Sequence, residues 1–477
     1  MKKTLLALSL LLGLSLHGYS QGSPPIVSFQ AQNSNLPTGN RFGSIQAIDA
    51  NTAWGVAGTP VTSGTTTTFN PTRYVRTADG GTTWTQGLVT TSGLTNYGVA
   101  NISAVSATTA WASIYPVAAG GSSGIVRTTD GGQTWTRQTT AAFSASGAFT
   151  NWVHFFDANN GVCMGDPTAQ GTSTVPFFEI YTTSNGGTTW TRLPRTTAIT
   201  SVTGEYGVVN QFYASGNNIW FLTGYDTGLS NSVKVLRSTD RGLTWTSGGP
   251  TPFIEQASGI AFSSATNGLA WQLESLAVTT DGGTTWADRP YSTAFRASDV
   301  AAIPGSNIFV CVGTDARVAS PTAADIGTSI SRDLGATWTT IDNAAQYTAV
   351  SFASGTIGYA GGFASTTPTG TVTGAVGKYT GGNILSNRNP ELQKALSVYP
   401  NPSSNGVFTV QLKAGMKAGA SVRVVDVVGR QVVAQQLNAT AIATNATTVD
   451  LSKEKAGIYM LELRTDAGVA QQKLVVE

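Results

Sequence analysis

Few side chains in this chain could do chemistry. Glu205, Asp166 and Asp226 are the candidate catalytic acids, and Tyr206, Arg296, Asp315 and Tyr347 are candidates to hold a ligand beside them. Two carboxylates about 5–10 Å apart suffice for glycoside hydrolysis, one as acid and the other as base or nucleophile. Asp166 in GDP and Asp226 in GYDTG also read as turn caps. Glu205 is harder to explain that way, because Glu is a poor turn former and here stands next to Tyr206. Other chemistries lack parts. His17 lies in an N-terminal leader, which leaves His154 in the apolar run VHFF, where a satisfied core histidine is the plainer reading. A hydrolytic triad or a histidine metal site would have to be built around that one ring. Cys163 and Cys311 fall in non-adjacent repeats, so two buried thiols are expected rather than a disulfide. No phosphate loop, dinucleotide fingerprint or metal cluster is visible, and no cofactor or metal is expected. With Lys+Arg 27 against Asp+Glu 25 and no basic stripe, nucleic acid is not an expected partner.

These residues hang on a repeated frame. An octapeptide returns six times, at Thr77–Trp84, Thr128–Trp135, Thr183–Trp190, Ser238–Trp245, Thr279–Trp286 and Ser331–Trp338. Its pattern is S/T-x-D-x-G-x-T-W, carried by Asp79, Asp130, Asn185, Asp240, Asp281 and Asp333 with Trp84, Trp135, Trp190, Trp245, Trp286 and Trp338. The short acid can accept from backbone N–H groups two residues on, the Gly supplies positive φ, and the Trp anchors a strand. Between the boxes a second unit recurs seven times, an apolar strand, a polar turn and another apolar strand. Lining its copies up puts Trp54, Trp111, Val162, Trp220, Leu269, Phe309 and Tyr359 in one apolar column. Gly, at 55 residues, and only 11% charged residues fit short strands joined by many turns.

The octapeptide resembles the Asp-box, or bacterial-neuraminidase repeat, of sialidases, sortilin ectodomains, xyloglucan hydrolases and photosystem II assembly-factor-like propellers. That likeness implies a β-propeller with the box between the third and fourth strands of each blade. Seven hairpins with six boxes leave the last blade short of a strand. Ile26–Gln32 alternates correctly to supply it, so an all-β, seven-bladed propeller closed by an N-terminal strand is expected. The box turns would then share one face. The long connections Gly58–Pro71, Pro116–Ser123, Asp166–Thr174, Thr196–Gly207 and Gly313–Thr328 would share the other, where function is expected. The sialidase Arg-Ile-Pro motif is absent, and xyloglucan hydrolases of this type carry two propellers. The pieces NGVCMGDP, VLRSTDRGLTW and YTAVSFASGTIGYAGG look most like the photosystem II assembly-factor-like branch of non-photosynthetic bacteria, which implies a scaffold or protein-binding role.

The two ends carry addresses. Lys2 and Lys3 precede an apolar run from Leu5 to Leu16, and Gly18 and Ser20 suit cleavage before Gln21, so residues 1–20 read as a signal peptide. The propeller is expected over 21–382, a polar linker over 383–394 and a small β-sandwich over 395–477. In that tail YPNP at Tyr399–Pro402, DVVGR at Asp426–Arg430 and LSKEKAGIYML at Leu451–Leu461 resemble the type A C-terminal sorting domain of the Bacteroidetes type IX secretion system. The likeness implies the secretion machinery as a partner and a secreted or surface location. The expected function is non-enzymatic binding of a protein or glycan on the long-loop face. A glycosidase using carboxylates there is the alternative.

Overall fold

The computed structural model describes residues 29–477 except 64–65, 144–147, 170–174, 195, 198, 227, 229–230, 292–293, 315–325, 367–371, 374, 381–389, 414–419, 428–429 and 466–467. The chain divides into two compact units, one over Val27–Ser386 and the other over Asn387–Glu477.

The larger unit is all-β. Its described residues form seven four-stranded antiparallel sheets, each hydrogen-bonded in sequence order except the last. Their first strands are Arg41–Ala47, Tyr97–Ala104, Thr150–Phe155, Glu205–Ser215, Gly259–Phe262, Asp299–Ala302 and Tyr347–Ser354, and these number the sheets 1 to 7. Sheet 7 continues through Ile357–Gly362 and Val376–Tyr379 and takes its fourth strand from Phe29–Gln32, with Phe29 opposite Tyr379. Residues 26–28 of the expected strand lie outside the described residues.

Each first strand stands at one end of its sheet. Its outer backbone groups therefore need partners other than a strand. Side chains of neighbouring sheets supply them, two of them neutral amides. Asn101 of sheet 2 donates to Val153 O (2.8 Å) and accepts from Val153 N (3.0 Å) in sheet 3. Gln46 of sheet 1 accepts from Ala104 N (2.8 Å) and reaches Ala104 O (3.5 Å) in sheet 2. Ser103 Oγ accepts from Phe155 N (2.8 Å), and Asp299 of sheet 6 accepts from Val350 N (2.9 Å). Sheet 7 meets sheet 1 in the same manner, through Ser351 Oγ to Ala47 N (3.1 Å) and Thr348 Oγ1 to Phe42 O (2.8 Å).

A second lock lies further out. All seven column residues from Trp54 to Tyr359 are 0% exposed. The indoles of Trp111 and Trp220 donate to Gly186 O (3.2 Å) and Gly282 O (3.0 Å) in the octapeptide of the following sheet. A cation on the third strand lies over each aromatic member of two bonded pairs and two further ones: Arg76 over Trp54, Arg127 over Trp111, Arg237 over Trp220 and Lys378 over Tyr359. Where the column holds Val162 or Leu269, the cross-strand partner is Thr182 or Val278. Phe309, the remaining aromatic of the column, stands opposite Ser331.

Within each octapeptide the carboxylate works over a longer span than the sequence suggests. Asp79 Oδ1 accepts from Thr83 N (2.9 Å), four residues on, and Oδ2 accepts from Thr83 Oγ1 (2.6 Å). Thr77 Oγ1 donates to Asp79 Oδ1 (2.9 Å) and accepts from Gly81 N (2.8 Å). The same pattern recurs at Asp130, Asp240, Asp281 and Asp333. Asn185 keeps it by donating to Thr189 Oγ1 (2.8 Å). Donors from Thr83, Thr134 and Thr285 hold the Asp79, Asp130 and Asp281 carboxyls down at about 2. A Cβ on Gly242 would come within 2.7 Å of Val162 in the preceding sheet, so that position admits no side chain. Five of the six box Trp residues are buried, and Trp286 is partly exposed.

The smaller unit has a three-stranded sheet (Leu396–Tyr399, Val407–Leu412, Ala446–Asp450) and a four-stranded one (Gln431–Gln436, Ser421–Asp426, Gly457–Thr465, Gly468–Val476). Phe408, Val410, Val424, Leu461, Leu463 and Leu474 form its core. Pro390–Ala395, in the stretch read as linker, form a short helix, and Ala439–Thr444 form another, capped by Asn438.

Replacing Asn101 by Ala leaves Val153 N–H and C=O buried without partners. We expect a loss of about 1–3 kcal/mol, read from denaturant midpoints, whereas Asn101→Gln should recover part of it. A neutral outcome for Asn101→Ala would show that the amide bridge contributes nothing.

Candidate functional site

First strands bring polar side chains from several sheets to one end of the larger unit, around a cavity of about 820 Å³. Its wall includes Arg41, Phe149, Asp166, Tyr206, Gln211, Gln256 and Gln272. A second cavity, about 260 Å³, is lined by residues from the first strands of all seven sheets, among them Gln46, Asn101, His154, Tyr213, Ile260, Asp299 and Val350. Gln211, Ser258, Ser298 and Thr348 border both, so the two spaces meet at a neck of one amide and three hydroxyls.

Asp166 follows the second strand's apolar stretch in sheet 3 and turns into the wall. Its Oδ1 accepts from Asn151 Nδ2 (2.8 Å) and from Gly207 N (2.9 Å) of sheet 4. Among the described residues no hydrogen bond reaches Oδ2. Burial lifts this carboxyl to about 6, outweighing the two hydrogen bonds that lower it. Tyr206 lies beside it and donates to Gln256 Oε1 (3.4 Å). Gly224 gives its ring room, since a Cβ there would sit 2.6 Å from the ring. Burial raises the Tyr206 phenol, and Asp226, Asp166 and Glu255 raise it further.

Asp166 and Tyr206 are the two sequence candidates that share the cavity wall. Glu205 is only 6% exposed. Its Oε1 accepts from Tyr225 OH (3.1 Å) and pairs with Lys234 Nζ (3.5 Å), and its Oε2 accepts from Val202 N (3.0 Å). That network ties down the 202–206 turn and keeps Glu205 from the wall. Asp226 is exposed and outside the wall, its N–H bonded to Gly204 O (2.9 Å). Arg296 is 2% exposed and serves the interior, donating to Ile326 O (2.5 Å), Ala294 O (3.1 Å) and Ser329 Oγ. Tyr347 is also core, packed on Phe29 at 5.5 Å, with burial pushing its phenol to about 12. Asp315 lies outside the described residues.

His154 differs from expectation. It faces the inner cavity, between Phe156 (4.6 Å) and Phe212 (5.9 Å), and among the described residues no hydrogen bond reaches its ring. Burial drives it down to about 4, so it is neutral near pH 7. Cys163 and Cys311 are free and buried, as the sequence suggests. Among the described residues no group of three or more His, Cys, Asp or Glu could hold a metal ion. Sequence reasoning missed Arg41, Phe149, Gln211, Gln256 and Gln272. Gln256 stands just before the first strand of sheet 5, as Glu205 and Tyr206 open that of sheet 4, and that position was the available signal.

Residues 397–477 match the secretion system C-terminal sorting domain. The tail thus marks the chain for type IX export to the extracellular space or the cell surface. Among the described residues no helix is long and apolar enough to cross a membrane. No curated protein matches the chain. Among solved structures it is similar to PorZ, an essential surface component of the type-IX secretion system of Porphyromonas gingivalis. Identity is 13% over 92% of this chain and 59% of that one, with a TM-score of 0.46. A Hadza microbial sialidase, Hz136, is 14% identical over 71% of this chain and 66% of that one, with a TM-score of 0.40. A protein of unknown function from Dyadobacter fermentans is 11% identical over 74% and 97%, at 0.41. The chain spans less than two thirds of the length of the first two. Likeness of this order says nothing about activity.

The raised Asp166 carboxyl has a definite sign. The folded state holds its proton more tightly than the unfolded chain, so this contribution is full below pH 4 and is lost as pH rises through about 6. Asp166→Asn, which keeps an acceptor for both donors, should flatten that fall, on the order of 2 kcal/mol. Unfolding curves at pH 4 and pH 7 test it, and an equal slope in both proteins would refute it.

Proposed function

We propose that residues 29–379 form a seven-bladed Asp-box propeller closed by its N-terminal strand, and that its long-loop mouth binds a glycan without cleaving it. The seven sheets and the contacts returning from sheet 7 to sheet 1 support the ring. The observation that carries the binding reading is the make-up of the mouth. Among its described lining residues there is one carboxylate, Asp166, with three side-chain amides, four hydroxyls apart from tyrosine and the aromatic rings of Tyr206 and Phe149. Amides and hydroxyls suit a polyhydroxylated ligand, the rings offer its apolar faces a surface, and the cavity falls within the size of ligand sites. Two-carboxylate hydrolysis needs a second acid on the wall, and Glu205, the expected partner, is engaged by Tyr225 and Lys234. The sorting tail would deliver this module to the cell exterior.

One observation favours a hydrolase as the second reading. An acid near 6 on a cavity wall is suited to donate a proton to a leaving group.

The full-length protein, offered a panel of neutral, amino and acidic polysaccharides, separates these. Binding should raise the melting temperature by a few degrees at saturating glycan and release no new reducing ends. Tyr206→Ala and Gln256→Ala should remove the shift. New reducing ends abolished by Asp166→Asn would establish the hydrolase instead, and silence throughout would defeat both readings.

A further inference from the structure

We infer that the mouth cavity prefers a sugar bearing a free amine, such as a de-N-acetylated amino sugar, over acidic sugars. The inference rests on the glycan-binding reading above.

Asp166 decides the preference. Both of its donors among the described residues, Asn151 Nδ2 at 2.8 Å and Gly207 N at 2.9 Å, converge on Oδ1. Oδ2 has no donor among the described residues, although the carboxyl lines the cavity. A half-buried carboxylate oxygen is stabilised by a donor, most of all a charged one, because attraction strengthens as water is excluded. An ammonium group on a bound sugar supplies both the donor and the opposite charge.

The surroundings point the same way. Tyr206, next along the wall, feels Asp226, Asp166 and Glu255 as negative neighbours. Its ring also offers a face to a cation. Among the described lining residues Arg41 is the one cation, and its guanidinium lies over the Phe69 ring at 4.1 Å. Lys234, the next cation in sheet 4, is paired with Glu205 at 3.5 Å. A uronate or sialate carboxylate brought to Asp166 would meet like charge. Gln211, Gln256 and Gln272 can serve the hydroxyls of any sugar, so the charge of the ligand is what discriminates.

The test titrates the full-length protein with a deacetylated chitosan oligomer, a chitin oligomer of equal length and an oligogalacturonate. The chitosan oligomer should bind about tenfold tighter than chitin, the gain expected of one partly desolvated ion pair. Oligogalacturonate should bind weakest. The chitosan advantage should shrink as salt rises. Asp166→Asn, with its fold checked by an unchanged circular dichroism spectrum, should bring chitosan and chitin to equal affinity while chitin binding persists. Oligogalacturonate binding as tightly as chitosan, or an Asp166→Asn protein that keeps the preference, would overturn the inference and leave glycan binding intact. No binding to any of the three, nor to the wider panel, would bring down the glycan reading itself.

Discussion

Every sheet of the larger unit begins with a strand whose outer edge faces no further strand, and the structure depends on how those edges are satisfied. An unpaired buried N–H or C=O costs as much as a lost hydrogen bond. The solution used most fully is a side-chain amide that donates and accepts at once, as Asn101 does to Val153 and Gln46 to Ala104. A primary amide laid against one residue's N–H and C=O reproduces the pairing of a neighbouring strand without needing one. A carboxylate can only accept and carries a desolvation cost, so neutral amides and hydroxyls are the better material here. The low charge of the chain, 11%, follows in part from this demand.

The candidate site lies where a carboxylate takes the bridging place, as Asp299 also does between sheets 6 and 7. Between sheets 3 and 4 the bridging acceptor is Asp166, whose Oδ1 takes Gly207 N. Just beyond Gly207 the first strand of sheet 4 slips register before Phe212, and the pairing with the second strand is interrupted. One residue therefore holds two sheets together and places a charge on the cavity wall. Both donors reach Oδ1, and among the described residues no hydrogen bond reaches Oδ2. Burial and hydrogen bonding pull the proton affinity of this carboxyl group in opposite directions, and burial prevails.

Much of the frame was legible in the sequence because it repeats. The octapeptides, the apolar column and the need for a strand from the N-terminus all follow from period and alternation. The cations Arg76, Arg127, Arg237 and Lys378 were equally visible, each just before or at the matching strand position, yet they read as surface charge until their rings were placed beside them. The site was less legible. Asp166 and Tyr206, singled out by residue type, lie on the cavity wall, and Glu205 is drawn off it by Tyr225 and Lys234, which lie on two other strands. Arg296 and Tyr347 are buried, which residue type alone does not reveal. Gln211 belongs to sheet 4 while Gln256 and Gln272 lie before the first strand and at the end of the second strand of sheet 5, and glutamine announces no chemistry by itself.

The edge rule reaches the sorting tail as well. The last strand, Gly468–Val476, ends its sheet. Gln393 donates to Gln471 O (2.8 Å) and accepts from Gln471 N (2.8 Å). Asn401 follows with Lys473 O (2.6 Å) and Val475 N (2.9 Å), and the Ser403 backbone with Val475 O (2.9 Å) and Glu477 N (3.0 Å). Successive edge groups of the strand are thus taken in turn by one passing segment. An uncovered edge of this length would invite pairing with another chain. Two units with unrelated sheets therefore share one physical device, the two-bond amide clamp. In the larger unit it joins neighbouring sheets, and in the tail it keeps a strand from joining anything else.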